Sequence, residues 1–134
     1  MPLIYIVSDS QNLKKLVSSA LAGPDNDLVE LASGKELLEL LDEETPDLVM
    51  LDLQIANMGA TAITLEIRLA EKAGRIDPTK IIVLLDRRAD VFMTRRSGAD
   101  GFVIKPLDSL KIKRAVKETL SVGSFEDPAY APAK

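Results

Sequence analysis

Apolar runs and helically spaced apolar stripes alternate five times along the chain. Residues 3–7, 28–31, 48–51, 81–85 and 102–104 are short apolar-rich runs, and all but the second are apolar on both faces. That pattern predicts strands buried in a parallel sheet. Between the runs, apolar residues recur at the helical period. Residues 11–22 place Leu13, Leu16, Val17, Ala20 and Leu21 on one stripe, and 61–73 place Ile63, Ile67 and Ala70 likewise. Residues 108–120 do so with Ile112, Val116 and Leu120, while 89–96 form a short helix with a poor stripe. Ser33, with Glu36 three residues on, predicts a capping box for the helix carrying Leu37, Leu38, Leu40 and Leu41. Gly23-Pro24, Pro46, Asp77-Pro78 and Gly98 punctuate the pattern.

Five βα units predict an α/β fold: a doubly wound, five-stranded parallel sheet with right-handed crossovers and five helices. The flavodoxin-like order 2-1-3-4-5 suits this count and sets the first and third strands side by side. One domain is expected over residues 1–121, with 122–134 read as a tail or the start of a linker. Three polar residues close apolar runs: Asp9 after the first, Asp52 after the third and Lys105 after the fifth. Reactive groups in such sheets gather at the carboxyl ends of strands. A single Asp there is ordinarily a turn former or helix cap, and a single Lys a solvated one. Two carboxylates on adjacent strand ends with a lysine form a site for a hard divalent cation and a phosphoryl group.

Composition narrows the chemistry. The chain has neither Cys nor His, which excludes thiol and imidazole catalysis by its own side chains. The first apolar run is too short for a membrane span and lacks a basic flank, so no membrane association and a cytoplasmic location are expected. Net charge is −4 but uneven: residues 1–79 carry −8 and residues 80–117 carry +6. The chain as a whole is acidic and has 3 Phe, 2 Tyr and no Trp, so direct nucleic-acid binding is not expected.

Three stretches then carry a resemblance. They are Ile4-Tyr5-Ile6-Val7-Ser8-Asp9-Ser10, Pro46-Asp47-Leu48-Val49-Met50-Leu51-Asp52-Leu53-Gln54, and Gly98-Ala99-Asp100-Gly101-Phe102-Val103-Ile104-Lys105-Pro106-Leu107. In this order, with the βα units around them, the chain over residues 2–121 resembles the response-regulator receiver domain of two-component signalling. The resemblance implies a switch and not a turnover enzyme. It implies that Asp52 is the phosphoacceptor, that Mg2+ is held by Asp9, Asp52 and the backbone carbonyl of Gln54, and that Lys105 contacts the phosphoryl oxygens. Pro106 matches the proline that follows a cis peptide, and Phe102 the aromatic switch position. The implied partners are a sensor histidine kinase or phosphotransfer protein, and an output protein or second copy at the face of the fourth helix, fifth strand and fifth helix.

The sequence departs from that family at several places. Ser8 stands where receivers carry a first acid, which removes an outer magnesium contact. Leu85 (or Val83, in another register) stands where a hydroxyl normally ends the fourth strand. Ile55-Ala56 replaces Met-Pro, and Gly59-Ala60 replaces Asp-Gly. A second reading is therefore a pseudo-receiver, the same fold used as a binding or dimerisation module without phosphate control. A third, a small nucleotide-binding enzyme, lacks any Gly-rich loop after the first strand.

Overall fold

The computed structural model describes residues 2–53 and 59–130. Strands β1 (Leu3–Val7), β2 (Asp27–Leu31), β3 (Leu48–Asp52), β4 (Lys80–Leu85), β5 (Gly101–Ile104) and β6 (Phe125–Glu126) form one sheet, ordered β2-β1-β3-β4-β5-β6. Every pairing is parallel. The helices are α1 (Gln11–Leu21), α2 (Gly34–Glu43), α3 (Ala60–Lys72), α4 (Val91–Ser97) and α5 (Ser109–Ser121). The expected order is observed, with a short sixth strand added outside β5.

Side-chain alternation along the strands divides the core in two. Tyr5, Val7, Val49, Leu51, Ile81, Val83, Leu85, Phe102 and Ile104 point to one face, where Leu37, Leu41, Ile63, Ile67 and Val91 of α2, α3 and α4 cover them. Ile4, Ile6, Leu48, Met50, Ile82, Leu84 and Val103 point to the other, under Val17, Leu21, Ile112 and Val116 of α1 and α5. This is why β1, β3, β4 and β5 read as unbroken apolar runs: each lies between two helical layers. Each fully buried Leu, Ile or Val contributes about 1.5–3 kcal/mol over exposure. Edge strand β2 is half-exposed and correspondingly mixed in sequence.

Local signals set the helix starts. Ser10 Oγ accepts from the Leu13 amide at 3.2 Å, Ser33 Oγ from Glu36 at 3.2 Å, and Asp108 Oδ1 from Lys111 at 2.8 Å. The Glu36 carboxylate reaches back to the Ala32 amide, one residue before the cap, at 2.7 Å. The predicted helix at 89–96 is instead a 3-10 turn, Arg88–Asp90, leading into α4, which Gly98 closes in the left-handed conformation (φ 95°). Residues 122–130 are not wholly a tail. Phe125 is buried and β6 pairs with β5, because its single aromatic ring joins the core beneath α5. One such residue leaves no period to read. Among the described residues, no helix is long and apolar enough to cross a membrane.

Candidate functional site

The parallel register Val7↔Leu51 brings the ends of β1 and β3 level, so Ser8 lies beside Asp52. Asp52, the last residue of β3, is 4 % exposed. Both its carboxylate oxygens are engaged. Lys105 Nζ, just beyond β5, donates to Oδ1 at 2.8 Å, and Ser8 Oγ donates to Oδ2 at 2.7 Å. Ser8 Oγ in turn accepts from the Ser10 amide at 3.0 Å. Lys105 Nζ has a second anionic partner, Asp86 Oδ1 at 2.9 Å, from the residue following β4. The Lys105 amide donates to the Leu85 carbonyl at 2.8 Å, which fixes the lysine backbone to β4. The Lys105–Pro106 peptide is cis.

Burial alone pushes the Lys105 ammonium toward the neutral form. The hydrogen bonds and charges of Asp52 and Asp86 outweigh it, and its pKa lies above the ordinary 10.5. The lysine is therefore a fixed positive charge aimed at Asp52 throughout the physiological range.

The sequence-predicted residues are placed as follows. Asp52 and Lys105 are in contact. Asp9 is exposed, one residue past Ser8. Gln54 lies outside the described residues, as do Ile55 and Ala56. Leu85 is the final residue of β4 and fully buried; Val83 lies two residues earlier, level with Leu51 and Phe102. Phe102 is 1 % exposed, its ring in the core and the Arg95 guanidinium 5.9 Å from its centroid. Asp86 was not singled out as a site residue, although it satisfies the rule that selected Asp9: a polar residue just past a buried strand. The Ser8–Asp52 hydrogen bond is also absent from the sequence reading, in which Ser8 is a lost acid or a helix cap, because the partner of a hydroxyl is set by side-chain reach across strands.

The donor set can be tested against magnesium. Asp9 and Asp52 supply hard carboxylate oxygens, and no group of three or more acids able to hold a metal gathers among the described residues. Magnesium is commonly held by one or two carboxylates and keeps several waters. The residue types present are compatible with an ion that retains most of its hydration.

A buried strand-end carboxylate beside a fixed lysine, on a 2-1-3-4-5 sheet, is also the arrangement of a known family. The response regulator receiver domain model matches residues 4–117. The chain belongs to that family. The receiver is 28 % identical over 128 residues to the transcriptional regulatory protein AfsQ1 of Streptomyces coelicolor, covering 94 % of this chain and 54 % of that one. It is 28 % identical to the DNA-binding response regulator MtrA of Mycolicibacterium smegmatis, covering 92 % and 57 %. The receiver thus spans about half the length of these curated relatives. Among solved structures, a LuxR-family two-component response regulator from Aurantimonas superposes with TM-score 0.83 at 24 % identity, covering 97 % of this chain and 92 % of that one. DrrB of Thermotoga maritima, an OmpR/PhoB homologue, gives 0.75 at 27 % identity, covering 92 % and 54 %. The receiver is a signalling module of two-component systems and not a turnover enzyme.

Proposed function

We propose that this receiver accepts a phosphoryl group on Asp52 in a Mg2+-dependent reaction, and that the modified domain alters its protein contacts. The observation that carries the reading is the 2.8 Å contact of Lys105 Nζ with the buried Asp52 carboxylate. Asp52 would attack the phosphorus of a phosphohistidine on a sensor kinase or phosphotransfer protein, forming an acyl phosphate as the N–P bond breaks and the histidine imidazole leaves. Both reactants are anionic, so the barrier is mainly one of charge. Lys105 holds a positive charge where the phosphoryl oxygens arrive, and Asp9 and Asp52 would hold the ion, with Gln54 offering its carbonyl. Magnesium, when bound, neutralises charge on the transferring group. Placement in the cytoplasm follows from a kinase partner acting there.

A pseudo-receiver is the second reading, favoured by one feature: the receiver's own side chains already occupy the groups a phosphoryl ligand would use. Ser8 takes one Asp52 oxygen and Asp86 shares Lys105. Leu85 offers no hydroxyl to a phosphoryl group, so any switching through Phe102 is expected to be small. Treatment with a small phosphodonor and magnesium, followed by mass spectrometry, separates the two readings. One added phosphoryl group, absent in Asp52→Asn, is expected. An unmodified chain, or a label surviving Asp52→Asn, would establish the pseudo-receiver.

A further inference from the structure

Helices α2 and α3 cover the same face of the sheet, yet they do not close against each other. A cavity of about 520 Å3, half-open to solvent, lies between them. Its floor is Leu41, Ile67, Ala70 and Ile76, each 9 % exposed or less. The space follows from one small residue. α3 places Ala70 in the gap, while Leu65 and Leu69 of the same helix face solvent, 48 % and 61 % exposed. Apolar bulk is thus present on α3 but kept out of the cavity. Ile76 closes the floor from the loop after α3, where the Arg75 amide donates to the Ala70 carbonyl at 3.0 Å and fixes the turn.

The mouth is charged. Lys35, Glu39 and Asp42 come from α2, Glu66 from α3 and Arg75 from the loop. Arg75 and Asp42 pair at 3.2 Å with both side chains more than half exposed, and such a pair contributes little to stability. Glu39 and Glu66 have no ion pair among the described residues, and Lys35 alone remains to offset them. Three carboxylates against two cations leave one negative charge uncompensated, in a region, residues 1–79, that carries −8. An apolar floor with a few polar groups at the mouth, enclosing about 300–1,000 Å3, is the usual make-up of a small-molecule site.

We propose that the cavity between α2 and α3 binds a small apolar molecule carrying an ammonium group. The apolar body covers the floor, and the ammonium lies toward Glu39 and Glu66. A carboxylate on the same body would meet the excess negative charge and would have to part Arg75 from Asp42. None of the lining residues bonds to Asp52 or Lys105, so this is a second site, separate from the phosphoacceptor. The inference stands whether or not Asp52 takes phosphate.

The test titrates the full chain, without phosphodonor, with three probes that share one apolar body: phenylbutylamine, phenylbutanol and phenylbutyrate. Methyl and amide resonances are followed. Saturable shifts at Leu41, Ile67 and Ile76 are expected, with the amine binding at least about fivefold more tightly than the carboxylate. Added salt should weaken the amine and leave the alcohol unchanged. Glu39→Gln with Glu66→Gln, both at exposed side chains, should bring the amine down to the affinity of the alcohol. Ala70→Leu fills the cavity; it should stay folded by circular dichroism and bind none of the three. If Ala70→Leu fails to fold, the glutamine pair carries the test. The proposal is overturned by an absence of saturable shifts at the floor residues, by a carboxylate that binds as tightly as the amine, or by binding that survives in a folded Ala70→Leu. Shifts confined to Asp9 and Asp52 would assign the amine to the acids of the phosphoacceptor site and overturn it also.

Discussion

Ser8 and Asp86 distinguish this site from a bare acid–lysine pair, and each makes a testable difference. Ser8 Oγ lies 2.7 Å from an Asp52 oxygen, so Ser8→Asp would set two carboxylates in hydrogen-bonding range. Magnesium should bind more tightly to that variant, because added ligand charge raises affinity. The metal-free protein should become less stable through like-charge repulsion, by about 1–3 kcal/mol. Calorimetric titration and urea unfolding with and without magnesium read the two effects. Asp86→Asn removes one of two anions from Lys105 and leaves the lysine wholly to Asp52. Phosphorylation by a small donor, followed by mass spectrometry, should then be faster than in the parent, since one competitor for the lysine is gone. The contact between Asp52 and Lys105 was legible because each residue ends a buried run, and the fold sends all such ends to one edge. The role of Asp86 was not, because a hydrogen-bond partner is chosen by side-chain reach and not by strand pattern.

At the scale of elements, Arg68 of α3 joins three segments by its guanidinium. It donates to the Gly98 carbonyl beyond α4 at 2.9 Å, to the Thr79 carbonyl before β4 at 2.9 Å, to Glu71 at 2.9 Å and to Asp100 before β5 at 2.7 Å. Asp100 also accepts from the Ile81 amide at 2.8 Å. Arg68→Ala would leave two carboxylates and two carbonyls without this donor. Urea unfolding should show a loss of about 2–4 kcal/mol, with fastest amide exchange gained at Ile81 and around Gly98. The helices with clear apolar stripes were placed to within one residue of their observed ends, because burial of one face dictates that period. The segment before α4 was not, because Asp90 accepts from the Arg87 amide at 3.1 Å and draws residues 88–90 into a tighter turn. The +6 of residues 80–117 is partly neutralised in the fold. Arg95, Lys111 and Arg114 are paired with Glu126, Asp127 and Glu118. Two of these three partners come from the carboxyl-terminal segment.

For the whole molecule, the join between that segment and the sheet is acid-sensitive. Burial pushes the Asp127 carboxyl up, but the amides of Ile104 and Ala129 and the Lys111 ammonium outweigh this and hold it below the ordinary 3.8. A depressed folded-state value means that Asp127 stabilises the fold above 3.8, and that this contribution is lost as pH falls through the lower folded-state value. Acid titration should therefore loosen residues 125–127 before the central strands, read as earlier loss of Phe125 amide protection. Asp127→Asn should flatten that acid limb while lowering stability at neutral pH. Sheet order was legible from five repeated units; the sixth strand was not, because two residues carry no period. Its presence also bears on how the protein behaves when concentrated. Without β6, Phe102, Val103 and Ile104 would offer an unpaired backbone edge of three β-favouring apolar residues, with nothing to stop another sheet from adding to it. The charged Glu126 on a strand too short to be extended is a guard against that growth. Variants that lose the segment should turn slowly turbid on warming, at concentrations where the parent solution stays clear.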